Sequence, residues 1–195
     1  MNLPTKLTFS RIILTIIIVI FCVFPFYSVG INFPKFNVCG VIIDSTYFIA
    51  GILFIIASIT DFLDGNIARN NNMVTDTGKM LDAIADKVLV NSVLIIFATK
   101  KMISPIVPII YIFRDEIVNA LKMDLASKGE VIAAIKTGKI KTASMMVGMG
   151  LMFFYNLPFE LINIKVADFL IYFAVIMSII SGIEYYNLWR KQKNK

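Results

Sequence analysis

The chain has no histidine and only two cysteines, and 16% of its 195 residues are charged. Without imidazole, histidine-ligated zinc and histidine acid–base chemistry are excluded, so any proton transfer falls to Asp, Glu, Lys, Tyr or Cys. Cys22 and Cys39 have no metal-site spacing and form no disulfide framework. Cys22 lies inside an apolar run and reads as a small core residue. A soluble domain carries about 25% charged residues. Here hydrophobic residues fill the deficit, at 58% of the chain and a mean hydropathy of +0.80.

Long apolar runs are what the chain has instead. Several windows are apolar over about 20 residues, the length that crosses a hydrocarbon core of roughly 30 Å. Spans are expected at 8–28, 47–69, 79–99, 103–123, 141–157 and 168–188. The fold class is therefore all-α, a polytopic membrane protein with a bundle of six transmembrane helices in a single domain over 1–195. The first run, IILTIIIVIFCVFPF, lacks a small-residue cleavage site and is followed by equally apolar segments, so it is expected to be a retained helix. The segment 29–46 is expected as an extracellular connection, 70–72 as a polar turn and 122–140 as a lysine-rich cytoplasmic loop. No repeat or low-complexity linker divides the chain.

The net charge of +6 raises nucleic acid as a partner, but its distribution argues against one. With both termini cytoplasmic, the inside carries Lys6, Arg11, Arg69, Lys79, Lys87, the lysines of 122–141 and the tail RKQKNK. The outside keeps Lys35, Lys100, Lys101 and Lys165. Apart from the Lys100–Lys101 pair, that asymmetry follows the positive-inside rule. The tail also suits contact with anionic membrane lipids.

Against this apolar background, TDFLDGNIAR (60–69) and GKMLDAIADK (78–87) are conspicuous. Residues three and four apart share a helix face. Asp61, Asp64, Gly65 and Ala68 therefore line one side of the second span, and Gly78, Asp82 and Asp86 one side of the third. A short connection would make these spans antiparallel neighbours, so that the acidic faces meet. Four converging carboxylates repel unless cations neutralise them, and hard oxygen donors suit Mg²⁺ or Mn²⁺ completed by substrate phosphates. Two such ions could clamp the two oxygens of a phosphoryl displacement. Gly65, Gly78 and Ala68 keep the faces small where a phosphate would approach, and Arg69 offers it a planar fork. The plainer reading makes each Asp a helix cap, Gly65 a packing glycine and Arg69 a topology charge. The joint pattern outweighs it, because four of the thirteen acidic residues occupy two helix faces beside glycines, and ionisable residues within membrane segments are functional by default.

DFLDGNIAR, eight further residues and GKMLDAIAD fill every fixed position of D-x-x-D-G-x-x-A-R-x8-G-x-x-x-D-x-x-x-D. The chain thus resembles the CDP-alcohol phosphotransferases. The resemblance implies that Asp61, Asp64, Asp82 and Asp86 hold two divalent ions and that Asp86 is also the base. It implies displacement of CMP from a CDP-linked donor by an alcohol, in a protein that forms a homodimer. Gly65, Ala68, Arg69, Gly78 and Thr8 would then serve the CDP and its phosphates, although on sequence grounds alone Thr8 reads rather as a helix N-cap than as a ligand.

The motif leaves the acceptor open. The start, MNLPTKLTFSRI, is similar to that of the bacterial phosphatidylglycerophosphate synthases, a branch of that family, as are Arg114 with its following acid, Lys122, GKIKT at 138–142 and SGIEYY at 181–186. Lys6, Asp115 and Met145 depart from that branch. The implied substrates are CDP-diacylglycerol and sn-glycerol 3-phosphate, at a cell-membrane active site facing the cytoplasm. Arg11, Arg114, Lys139 and Lys141 lie near cytoplasmic span ends and could bind the acceptor's phosphate. As the alternative they are interfacial anchors, the reading preferred for Lys122, Lys128 and Lys136. Arg114 stands inside an apolar run and requires an anionic partner, which Asp115 or Glu116 could also be. Inositol phosphate or a phosphatidylglycerol as acceptor would keep the chemistry. A cation transporter would instead place its acids near the midplane, with broken helices or repeats.

Overall fold

The apolar runs become six α-helices among the described residues: α1 (Leu3–Val23), α2 (Ser45–Asn70), α3 (Asp76–Thr99), α4 (Ile106–Ala126), α5 (Lys136–Phe153) and α6 (Val166–Lys193). The computed structural model describes residues 3–38, 40–70, 76–128 and 135–193, and for 3–7, 61–70 and 76–79 it describes the helices but not the side chains. Each helix overlaps an expected span. α1 stops at Val23, five residues short of expectation, because Pro25 begins a separate short 3-10 turn, Phe26–Val29.

On length and apolarity, α6 alone among the described residues suffices to cross a membrane; the apolar segments Thr8–Val23 and Ser45–Thr60 are shorter. The outer surface is apolar nonetheless. Ile13, Ile16 and Ile20 of α1, Ile55, Ile56 and Ile59 of α2 and Phe113 of α4 are all exposed.

The expected connection at 29–46 contains a two-stranded antiparallel ribbon, β1 (Lys35–Val38) and β2 (Val41–Asp44), in the register Lys35↔Asp44 to Val38↔Val41. The all-α expectation is corrected to that extent. Four-residue strands are too short for an alternating pattern to stand out beside turn residues. Gly40 turns the ribbon at φ +91°, which a side chain would resist, and its amide donates to Asn37 Oδ1 at 2.9 Å. Asp44 then starts α2, its Oδ1 accepting from the Thr46 amide at 3.0 Å and the Thr46 hydroxyl at 2.7 Å.

The chain divides into two compact units, Met1–Ile96 with Gly150–Lys165, and Phe97–Met149 with Val166–Lys195. In the first, Ile18 and Cys22, Ala50, Phe54 and Ala57, and Ala85, Leu89 and Val93 form the core, as the plain reading of Cys22 expected. Phe153 closes it, its ring centroid 5.4 Å from that of Phe54. Tyr155 Oη accepts from the Asp44 amide at 3.1 Å and ties the ribbon to this core.

In the second unit α4 packs on α6. Among the buried residues of α6, Ile171, Ala174, Ser178, Ser181 and Tyr185 form a stripe alternately three and four apart. Small residues on this stripe let helices approach closely, which is how helices associate where lipid removes the hydrophobic drive. Gly148 of α5 meets the same stripe: a Cβ there would lie 2.9 Å from Ile171 Cγ1 and 3.2 Å from its backbone nitrogen.

Two predictions follow from the packing. Gly148→Ala should lower the thermal unfolding midpoint of detergent-purified protein through overpacking worth about 1–3 kcal/mol. Gly150→Ala, with nothing within 4 Å of its added methyl, should raise the midpoint through helix propensity of about 1 kcal/mol; equal effects would contradict the packing. The second prediction concerns Trp189, the single tryptophan, whose Nε1 donates to Asp124 Oδ2 at 2.7 Å beside Lys128 at 3.2 Å. The indole and then the ammonium hold the Asp124 carboxyl below its ordinary range. Its contribution is thus present above the unfolded-state value and lost as pH falls through the lower folded value. Tryptophan emission should change with a midpoint below that of an ordinary carboxylate, and Asp124→Asn should abolish the transition.

Candidate active site

In the first unit, α2 continues unbroken through Asp61, Asp64, Gly65, Ala68 and Arg69 to Asn70. These five stand on its final turns at the expected helical spacing, with side chains outside the described residues. Gly78, in the first turn of α3, has the same standing. Asp82 and Asp86 are described, one turn apart on α3. Their side chains are 44% and 50% exposed, and both accept from Arg11 Nη1, at 3.0 and 2.8 Å.

Arg11 itself is fully buried in α1. Burying a guanidinium is costly unless charge and hydrogen bonds compensate, and the two carboxylates supply both. Thr8 precedes Arg11 by one turn and is buried. Because α1 starts at Leu3, Thr8 lies inside the helix and does not cap it. Thr15 Oγ1 donates to the Arg11 carbonyl at 2.8 Å, satisfying its hydroxyl within the helix.

The donor chemistry fits a divalent ion. Asp82 and Asp86 offer hard oxygens from one helix face, half open to solvent. Among the described residues no three Asp, Glu or Cys side chains gather, and the side chains of Asp61 and Asp64 lie outside that description.

The second unit brings two of the other predicted cations, Arg114 and Lys141, to one carboxylate. Asp115 Oδ1 accepts from Arg114 Nη1 at 2.8 Å and from Lys141 Nζ at 2.5 Å. Asp115 therefore is the anionic partner that Arg114 required. Arg114 also donates from Nε to the Ser178 carbonyl at 2.8 Å and from Nη2 to Ser181 Oγ at 2.6 Å. Gly182 leaves room for its stem, since a Cβ there would stand 3.2 Å from Arg114 Cγ. Two aromatic faces complete the cluster. Lys141 Nζ lies 3.9 Å from the Tyr111 ring centroid, and Lys122 Nζ 4.6 Å and Arg114 Cζ 5.6 Å from that of Tyr185. Lys139 is exposed on α5 and joins none of these contacts. Arg114 and Lys141 thus share the carboxylate of Asp115, with Lys122 beside them over the Tyr185 ring.

Ser181, Gly182 and Tyr185 are not singled out by residue type alone, although SGIEYY stands out as a motif. Its signal was the small pair Ser181–Gly182 on an apolar helix, which leaves space for a long side chain from elsewhere. Glu184, in the same motif, accepts from Thr137 Oγ1 at 2.5 Å.

The family model for CDP-alcohol phosphatidyltransferase matches residues 1–180. The chain belongs to that family. Among its relatives is the CDP-diacylglycerol–glycerol-3-phosphate 3-phosphatidyltransferase of Bacillus subtilis, 39% identical over 186 residues, which cover 95% of this chain and 94% of that protein. Proteins of the same name from Rickettsia bellii and Haemophilus influenzae are 32% identical over 191 residues and 35% identical over 189. These matches cover 97% and 94% of this chain, and 96% and 91% of those proteins.

Asp115→Asn should strand two largely buried cations and destabilise the protein by about 3–5 kcal/mol. Lys141→Met, which leaves the Arg114–Asp115 pair intact, should cost less. Thermal unfolding of both variants in detergent checks the order; a smaller loss for Asp115→Asn would refute the shared-carboxylate account.

Proposed function

We propose that the protein is a phospholipid-biosynthetic transferase that moves the phosphatidyl group of CDP-diacylglycerol onto sn-glycerol 3-phosphate, giving phosphatidylglycerol phosphate and CMP. The near full-length match to relatives named for this reaction carries the reading. In the balanced step, an acceptor hydroxyl oxygen bonds to the phosphorus that bears the diacylglycerol. The bond from that phosphorus to the CMP oxygen breaks, and the hydroxyl proton passes to a carboxylate oxygen of Asp86.

Asp61, Asp64, Asp82 and Asp86 would hold two Mg²⁺ or Mn²⁺ ions. When bound, these supply neutralisation of the pyrophosphate and stabilisation of the leaving oxygen. Gly65, Ala68, Gly78 and Thr8 would serve the CDP, as the family pattern implies, and Arg69 would serve its phosphates. Exposed Lys139 would meet the acceptor's phosphomonoester directly, and the largely buried Arg114 and Lys141, paired with Asp115, would attract it through their field; the cations grouped around Asp115 support this assignment. All six helices would cross the cell membrane, with both termini and the aspartates at the cytoplasmic face and the protein working as a homodimer. A lipid donor suits such a site, because its acyl chains remain in the bilayer while its nucleotide sits at headgroup depth.

Detergent-purified protein given CDP-diacylglycerol and Mg²⁺ or Mn²⁺ should release CMP with sn-glycerol 3-phosphate and stop on chelation. Release only with inositol phosphate, serine or phosphatidylglycerol would reassign the acceptor. Asp86→Asn should lower kcat by about 10²–10⁴. Lys141→Met should raise KM for glycerol 3-phosphate more than for the lipid donor; an equal rise for both would remove it from the acceptor site.

A further inference from the structure

We infer that Arg11 is a positioning residue for the cation-binding carboxylates and not a ligand of the acceptor's phosphate; this rests on the proposed metal role of Asp82 and Asp86. A single nitrogen, Nη1, reaches Oδ1 of both, at 3.0 and 2.8 Å. The contact joins residues 71 and 75 positions apart in sequence, so packing of α1 places it, not local geometry.

Burial separates the two roles. The Arg11 side chain is fully covered, whereas those of Asp82 and Asp86 are 44% and 50% exposed. A water-soluble acceptor or an ion can approach the carboxylates, while the guanidinium behind them is closed to it. Two carboxylates one helical turn apart repel and would otherwise sample several rotamers. A permanently charged, planar guanidinium offsets the repulsion and fixes one oxygen of each. Outer partners of this kind orient the groups that hold a metal, and their loss typically weakens metal binding tenfold to a hundredfold.

The test is Mn²⁺ binding to the full-length protein in detergent without substrate, read from the paramagnetic resonance of free Mn²⁺. Arg11→Gln should bind about tenfold to hundredfold more weakly than the unsubstituted protein, and Arg11→Lys should recover part of the loss. Thermal unfolding in chelator checks that each variant is folded, and if Arg11→Gln is not, Arg11→Lys carries the comparison. In turnover, Arg11→Lys should lower kcat while KM for glycerol 3-phosphate stays within about twofold. Unchanged or tighter Mn²⁺ binding in folded Arg11 variants would overturn the inference, as would a raised acceptor KM with Mn²⁺ affinity intact. Failure of the unsubstituted protein to bind Mn²⁺ would overturn it together with the metal reading. Weakened Mn²⁺ binding in the variants, in a protein that releases no CMP, would support the inference and strike the proposed reaction alone.

Discussion

A charge inside an apolar helix bundle must be met by an opposite one, and the described interior follows from that constraint. Arg11 is buried because Asp82 and Asp86 meet it. Lys141 and Arg114 are tolerated because Asp115 takes both. Removing water strengthens each attraction and also raises the cost of leaving any member unpaired. The polar contacts thereby specify which helix faces may touch. Apolar packing alone would specify this poorly, since isoleucine against lipid and isoleucine against isoleucine differ little in energy.

The two clusters solve the constraint differently, and the difference bears on chemistry. Around Arg11 the carboxylates are the more open partners, so the surface offered outward is acidic and suits cations. Around Asp115 the cations outnumber the carboxylate, and Tyr111 and Tyr185 add ring faces that favour positive charge without neutralising it. Small residues make the second cluster possible: Ser181 and Gly182 leave the gap that the Arg114 stem fills.

Much of this was legible in the amino-acid order. The six helices follow from apolar runs broken by proline, glycine and polar turns, and the acidic motif follows from its spacing. The short ribbon at 35–44 was hidden, because four-residue strands within a turn-rich connection leave almost no periodic signal. Thr8 misled as a cap because a threonine ahead of an apolar run has that signature, yet α1 begins a turn and a half earlier. Nothing local to Arg11 reveals that α3 brings two carboxylates to it.

By itself, then, the order of residues determined what acts locally: helix propensity, apolar length, charge asymmetry and the i,i+3 and i,i+4 spacing of the aspartates. These depend on neighbours within a few positions. Only the tertiary structure decided which cation meets which carboxylate: Arg11 with Asp82 and Asp86, Lys141 with Asp115, Arg114 with Ser181. Such pairings span from one residue to 75 in sequence, and desolvation selects among them once the helices have packed.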